Sequence, residues 1–197
     1  MRDMLKLFVA VAIFSTISGG ILAAIYGATK ERIEYQELTF VKGPTLKMIM
    51  EGCSNDPLVD RFKLKDGKEE HSFFVGVFEG KANTVAFETT GKGYGGQMGV
   101  MVAVNLENDE IVGVGVTTHN ETPGVGSRVK SEPGFSEQFQ GLPIREAFGV
   151  KADGGKVDAV SGATISSRGV CGALVALGEI YKRLKSDIAQ KAGEFKG

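Results

Sequence analysis

Residues 7–28 run Leu-Phe-Val-Ala-Val-Ala-Ile-Phe-Ser-Thr-Ile-Ser-Gly-Gly-Ile-Leu-Ala-Ala-Ile-Tyr-Gly-Ala without one charged side chain. Nothing else in the chain so limits what it can become. As a helix rising about 1.5 Å per residue, the run matches a hydrocarbon core about 30 Å thick. A helix buried in a soluble core keeps one polar face, and this run has none. A cleaved signal peptide has a shorter apolar region, about 7–15 residues, and a small-residue cleavage site. Here the run passes directly into Thr29-Lys30-Glu31-Arg32-Ile33-Glu34. The expectation is a retained single-pass anchor over residues 1–28. Arg2 and Lys6 precede the span, while Lys30 and Arg32 follow it among glutamates, a mild preference for an inside N-terminus. Gly19-Gly20, with Ser15 and Ser18, gives a smooth helix face on which another transmembrane helix could pack.

The remainder has the composition of a folded domain. With 23 basic and 24 acidic side chains the net charge is −1, and no basic stripe is present, which sets nucleic-acid binding aside. Cys53 and Cys171 form no CxxC pair, so neither a zinc site nor a disulfide framework is supported. Two free thiols are expected, with one bridge between them left open. Glycine is abundant, 28 of 197 residues, against a usual share of about 7%. These glycines lie among apolar runs rather than in a repeat, which suggests a binding site built from loops.

Residues 29–61 read as mostly helical, a polar continuation of the anchor followed by a helix from Pro44 that stops at Gly52. Residues 73–78, 84–90, 97–106 and 111–118 are rich in Val, Phe, Ile and Thr and read as strands, the last two joined by a hairpin turn at 105–110. Residues 133–141 suggest a short helix with Phe135 and Phe139 on one side. Val170, Ala173, Leu174, Leu177, Ile180, Tyr181 and Leu184 fall at steps of three and four, an amphipathic helix from about Ser166. The fold class is α+β: a transmembrane helix, then a glycine-rich mixed or antiparallel sheet flanked by helices. The expected divisions are the anchor at 1–28, a helical lead-in at 29–72, the main domain at 73–190 and a tail at 191–197.

Three stretches carry the chemistry. Asp158-Ala159-Val160-Ser161-Gly162-Ala163-Thr164-Ile165-Ser166-Ser167 crowds small residues and hydroxyls before the long helix, whose first N–H groups and partial positive charge suit a phosphate. The plainer reading is an N-cap from Ser166 or Ser167. Gly91-Lys92-Gly93-Tyr94-Gly95-Gly96 sets one aromatic among glycines, able to cover a planar ligand or to be merely an exposed loop. His119-Asn120-Glu121-Thr122-Pro123-Gly124-Val125-Gly126 forms a bend that can turn backbone N–H groups toward a ligand. A zinc-deaminase reading of His119 and Glu121 lacks its P-C-x-x-C partner.

Together, Gly93-Tyr94-Gly95-Gly96, His119, Glu121 through Gly126, and Asp158 with Ser161-Gly162-Ala163-Thr164 resemble the FMN-binding domain of the Rnf complex's G subunit. The same domain occurs in the C subunit of the sodium-pumping NADH:quinone oxidoreductase. The match runs from about residue 94 to 175, and chain length favours the Rnf member. The resemblance implies FMN joined by a phosphoester to Thr164. It also implies flavin contacts from Ser161, Gly162, Ala163, Glu121, Thr122, Gly124, Val125, Gly126, Tyr94 and Ser166, and recognition of Asp158 by a flavin transferase. Val125 stands where the family often has Leu. The implied function is electron transfer within an ion-translocating ferredoxin:NAD oxidoreductase, with no complete reaction of its own and no metal. Its partners would be the other membrane subunits, in a bacterial or archaeal cytoplasmic membrane with the globular part extracytoplasmic. The quinone-reductase relative, a membrane-tethered sensor and a non-redox phosphate-ligand module are the alternatives.

Overall fold

The computed structural model describes residues 2–195; Met1 of the expected anchor and residues 196 and 197 of the expected tail lie outside them. Two compact units are present, Met1–Thr39 and Phe40–Gly197. The first is helix α1, Arg2–Gln36, in which no residue is buried. Phe8 and Phe14 are 71% and 72% exposed, a large apolar surface that water does not tolerate and a bilayer does. The few polar groups in the span are satisfied locally: the Thr16 hydroxyl donates to the Ala12 carbonyl at 2.8 Å. This back-bonding keeps a hydroxyl from facing lipid unpaired.

A π-helical turn, Glu37–Lys42, and α2, Gly43–Ile49, come next in the chain. Gly52, at φ +89°, ends this region. Residues 51–60 are turns rather than helix, shorter than the helical stretch expected to 61. The sheet that follows is a five-stranded antiparallel meander in the order β1-β2-β3-β4-β5. Its strands are β1 Arg61–Asp66, β2 Glu69–Phe78, β3 Lys81–Lys92, β4 Gln97–Asn105 and β5 Ile111–Val116. Strands β2 and β3 are joined by Glu79 and Gly80, both at positive φ, the requirement of a type I′ hairpin turn.

Alternation sends one set of sheet side chains to each face. Phe73, Val85, Phe87, Met98, Val100, Val102, Val104, Val114 and Val116 form a core with Val170, Leu174, Leu177 and Tyr181 of the long helix α5, Thr164–Ala192. Rings of Phe62, Phe73, Phe87 and Tyr181 follow one another at centroid spacings of 5.5, 5.1 and 6.3 Å, tying β1, β2 and β3 to α5. On the other face Ala86, Ala103 and Gly113 stand in register, and this row of small residues lets α2 approach. A Cβ on Gly113 would lie 2.9 Å from the Ile49 carbonyl. The connection from β5 to α5 carries α3 Arg128–Ser131, α4 Pro133–Ser136 and two 3-10 turns, Glu137–Phe139 and Lys151–Asp153. Phe135 and Phe139 are both buried there, edge to face at 5.6 Å. Asp109, at the β4–β5 turn, accepts from the Tyr181 hydroxyl and the Lys185 ammonium, each at 2.7 Å. Burial and the adjacent Asp109 carboxylate push the Tyr181 hydroxyl above the ordinary tyrosine range.

Candidate cofactor site

Three segments distant in sequence meet at the start of α5. The β3–β4 turn brings Tyr94. The bend after β5 brings Glu121, Thr122, Val125 and Gly126. The segment that opens α5 brings Gly162, Ala163, Thr164, Ile165 and Ser166. They enclose a cleft of about 370 Å³, within the size range of small-molecule sites.

The end of α5 is uncapped. Ala163 occupies the N-cap position and no side chain bonds the helix there. The two serines that could have capped it are engaged elsewhere. Ser166 Oγ donates to Glu121 Oε2 at 2.6 Å, while Ser167 Oγ donates to the Ala163 carbonyl and accepts from the Val160 N–H. The N-cap reading of these serines is thereby displaced. The free N–H end and its partial positive charge face the cleft beside the half-buried Thr164. Gly162, at φ +79°, turns the chain into this position.

Neighbouring contacts hold the opening turn of α5 in place. Arg168 grips Asp153 with two nitrogens at 2.6 and 2.7 Å, and that guanidinium holds the Asp153 carboxyl below the usual carboxylate range. Gly169 packs on the β3–β4 turn so closely that a Cβ would lie 2.7 Å from the Lys92 carbonyl. Across the cleft, Glu121 accepts from the Gly95 N–H at 3.0 Å, so one carboxylate links the turn, the bend and the helix.

Not every expected residue reaches the cleft. Ser161 is exposed and contributes its carbonyl to Arg128 at 3.1 Å. Gly124, at φ +73°, shapes the bend and donates to Ser127 Oγ, but neither it nor Ser161 lines the cavity. Asp158 lies on the surface, paired with Lys151 at 2.7 Å, while its backbone N–H and carbonyl both bond the Gln138 amide. His119 accepts the Glu121 N–H at Nδ1 and lines a separate polar depression with Thr117, Thr118 and Lys130. Among the described residues no group of three metal-binding side chains occurs. Cys53 and Cys171 are both free; burial pushes the Cys171 thiol up to about 11. One lining residue was missed in the sequence, Ile165, 47% exposed at the cleft. Its only signal was its place between Thr164 and Ser166.

Residues 93–177 match a family model described as an FMN-binding domain, and this span includes every cleft residue. The G subunit of the ion-translocating oxidoreductase complex from Cereibacter sphaeroides is 32% identical to the chain over 169 residues, 82% of this chain and 77% of that one. Its counterpart in Methanosarcina acetivorans is 28% identical over 175 residues, 88% and 92% of the two chains. Among solved structures, Shewanella oneidensis NqrC is similar with a TM-score of 0.53 at 26% identity, covering 70% of this chain and 72% of that one. The C subunit of the Na(+)-translocating NADH-quinone reductase from Parabacteroides distasonis gives a TM-score of 0.51 at 26% identity, covering 59% and 63%. An exposed apolar helix, an antiparallel sheet domain with a cleft at the uncapped start of its long helix, and these similarities agree: the chain is a membrane-anchored member of the family of G subunits of ion-translocating oxidoreductase complexes, carrying an FMN-binding domain.

Proposed function

We propose that this protein carries electrons within a membrane-bound, ion-translocating oxidoreductase of the Rnf type, on FMN esterified through its phosphate to Thr164. The observation that carries the reading is the uncapped start of α5 with Thr164 at the cleft. A phosphate there meets unpaired N–H groups and the positive end of the helix dipole. The small residues Gly162 and Ala163 leave space for the ester. The bend from Glu121 to Gly126 and the 73%-exposed Tyr94 ring both border the cleft and would bracket a planar ring system. The flavin supplies the redox chemistry when bound; the chain supplies position, electrostatics and exclusion of water.

Asp158 has a different part in this proposal. It lies outside the cleft, on a backbone fixed by Gln138 and with its carboxylate turned to solvent. Those are the properties of a group read by a second protein, here a flavin transferase. The ester linkage and an extracytoplasmic domain are mutually consistent, because a covalent bond retains the cofactor where no free flavin pool replaces it. The protein completes no reaction alone, and its partners are the other membrane subunits of the complex. Denaturing gel electrophoresis of the full chain, co-expressed with a flavin transferase, tests the reading. A fluorescent band at the chain's position is expected, and a dark band overturns it. Isolation in mild detergent with several multi-span subunits is expected, whereas isolation alone would favour a tethered sensor.

A further inference from the structure

Glu121 is only 5% exposed, yet it lines the cleft. Its two oxygens accept from neutral donors, Ser166 Oγ at 2.6 Å and the Gly95 N–H at 3.0 Å. No lysine, arginine or histidine forms an ion pair with it among the described residues. The surroundings are shaped to admit it. A Cβ on Gly93 would fall 2.2 Å from Oε1, and one on Gly126 would fall 2.5 Å from Oε2. Two glycines from different segments therefore leave the volume that this carboxylate fills.

A buried charge without a counter-ion is expensive. Joining the turn, the bend and the helix does not require it, because a neutral amide of the same shape could bridge Gly95 and Ser166. What the charge adds is a field. We propose that Glu121 is a positioning residue whose fixed negative charge, beside the flavin, holds the cofactor's reduction potential low. Each electron reaching the flavin adds a negative charge unless a proton accompanies it. A second negative charge a short distance away, on a side chain buried from solvent, disfavours that addition. The sign is therefore toward a stronger reductant.

This inference rests on the flavin reading above, and one experiment separates their failures. Full-length wild-type chain, Glu121→Gln and Ser166→Ala are each co-expressed with a flavin transferase and compared for the fluorescent band. Each is then titrated with dithionite in the presence of dye mediators. A wild-type chain without flavin refutes the flavin reading itself. With flavin in place, Glu121→Gln is expected to keep its cofactor and to shift the midpoint potential in the positive direction. An unchanged or more negative midpoint overturns the inference. Ser166→Ala retains the carboxylate, so its midpoint should not move positive. A positive shift equal to that of Glu121→Gln would assign the effect to loosening of the cleft rather than to charge. Glu121→Gln protein made without the transferase is expected to melt within a few degrees of wild type. Failure of this variant to fold or to take up flavin would make Glu121 a structural latch and overturn the proposal.

Discussion

Two glycines three residues apart on α5 should respond oppositely to the same added methyl group. Gly172 is exposed, and a Cβ there would meet nothing within 4 Å. Replacing it with alanine restricts the unfolded chain and removes exposed helix backbone, a gain of about 1 kcal/mol in a helix interior. Gly169 has the same intrinsic gain available. Its Cβ, however, would lie 2.7 Å from the Lys92 carbonyl oxygen, 2.9 Å from the carbonyl carbon and 3.1 Å from the Gly93 nitrogen. All three atoms are backbone, so no side chain can swing aside. Overpacking of this kind costs roughly 1–3 kcal/mol, enough to outweigh the helix gain and leave a net loss of up to about 2 kcal/mol. In a unit of this size each kcal/mol moves Tm by about 2–4 °C. Thermal melts of the full-length chain in mild detergent should thus show Gly172→Ala above wild type by a few degrees and Gly169→Ala below it. Gly169 lies one turn past Ser166, so its displacement should also reduce flavin loading, which Gly172→Ala should leave intact. A Gly169→Ala protein that melts above wild type and loads fully would refute the close packing of α5 on the β3–β4 turn.

Thr164→Val, nearly isosteric, should abolish the fluorescent band while leaving Tm within a few degrees; a persisting band would reassign the attachment site. Asp158→Ala should lose flavin without losing stability, because its exposed pair with Lys151 contributes under about 1 kcal/mol. Lys151→Ala, lacking the same ion pair but keeping Asp158, should load normally, and equal loss in both variants would mean the pair matters rather than the carboxylate. Cys171 is buried, its thiol raised to about 11, whereas Cys53 is half-buried. Alkylation of folded protein near pH 8, followed by peptide mapping, should therefore modify Cys53 first and Cys171 only after unfolding. Equal rates would contradict the packing of α5.

The elements that announced themselves in the sequence were those governed by a single periodicity. The apolar run of α1 and the three-and-four spacing of α5 each required only one face or none to be polar, and both were legible. Strand β1 was not, although Phe62 and Leu64 alternate with Arg61, Lys63 and Lys65. An edge strand carries charge on its open face, and three basic residues in six disguised the alternation. The cleft lining was legible where it is contiguous, from Gly162 to Ser166, because small residues and hydroxyls before an amphipathic helix suit either an anion or an N-cap. The part hidden from the sequence spans long separations. Gly93 and Gly126 read only as parts of a turn around Tyr94 and of a bend toward a ligand, and the space that they leave is filled in part by the Glu121 carboxylate. No local pattern links residues 93, 121, 126 and 166; the antiparallel meander and the return of α5 over it bring them together.

The ester at Thr164 is the claim on which the electron-carrier reading rests, and peptide mass spectrometry reaches it most directly. Trypsin should release residues 157–168, bounded by Lys156 and Arg168, from chain co-expressed with a flavin transferase. This peptide should be heavier than its bare sequence by one FMN less one water, and fragmentation should place the added mass on Thr164. The unmodified mass, or the added mass on Ser161, Ser166 or Ser167, would contradict the account.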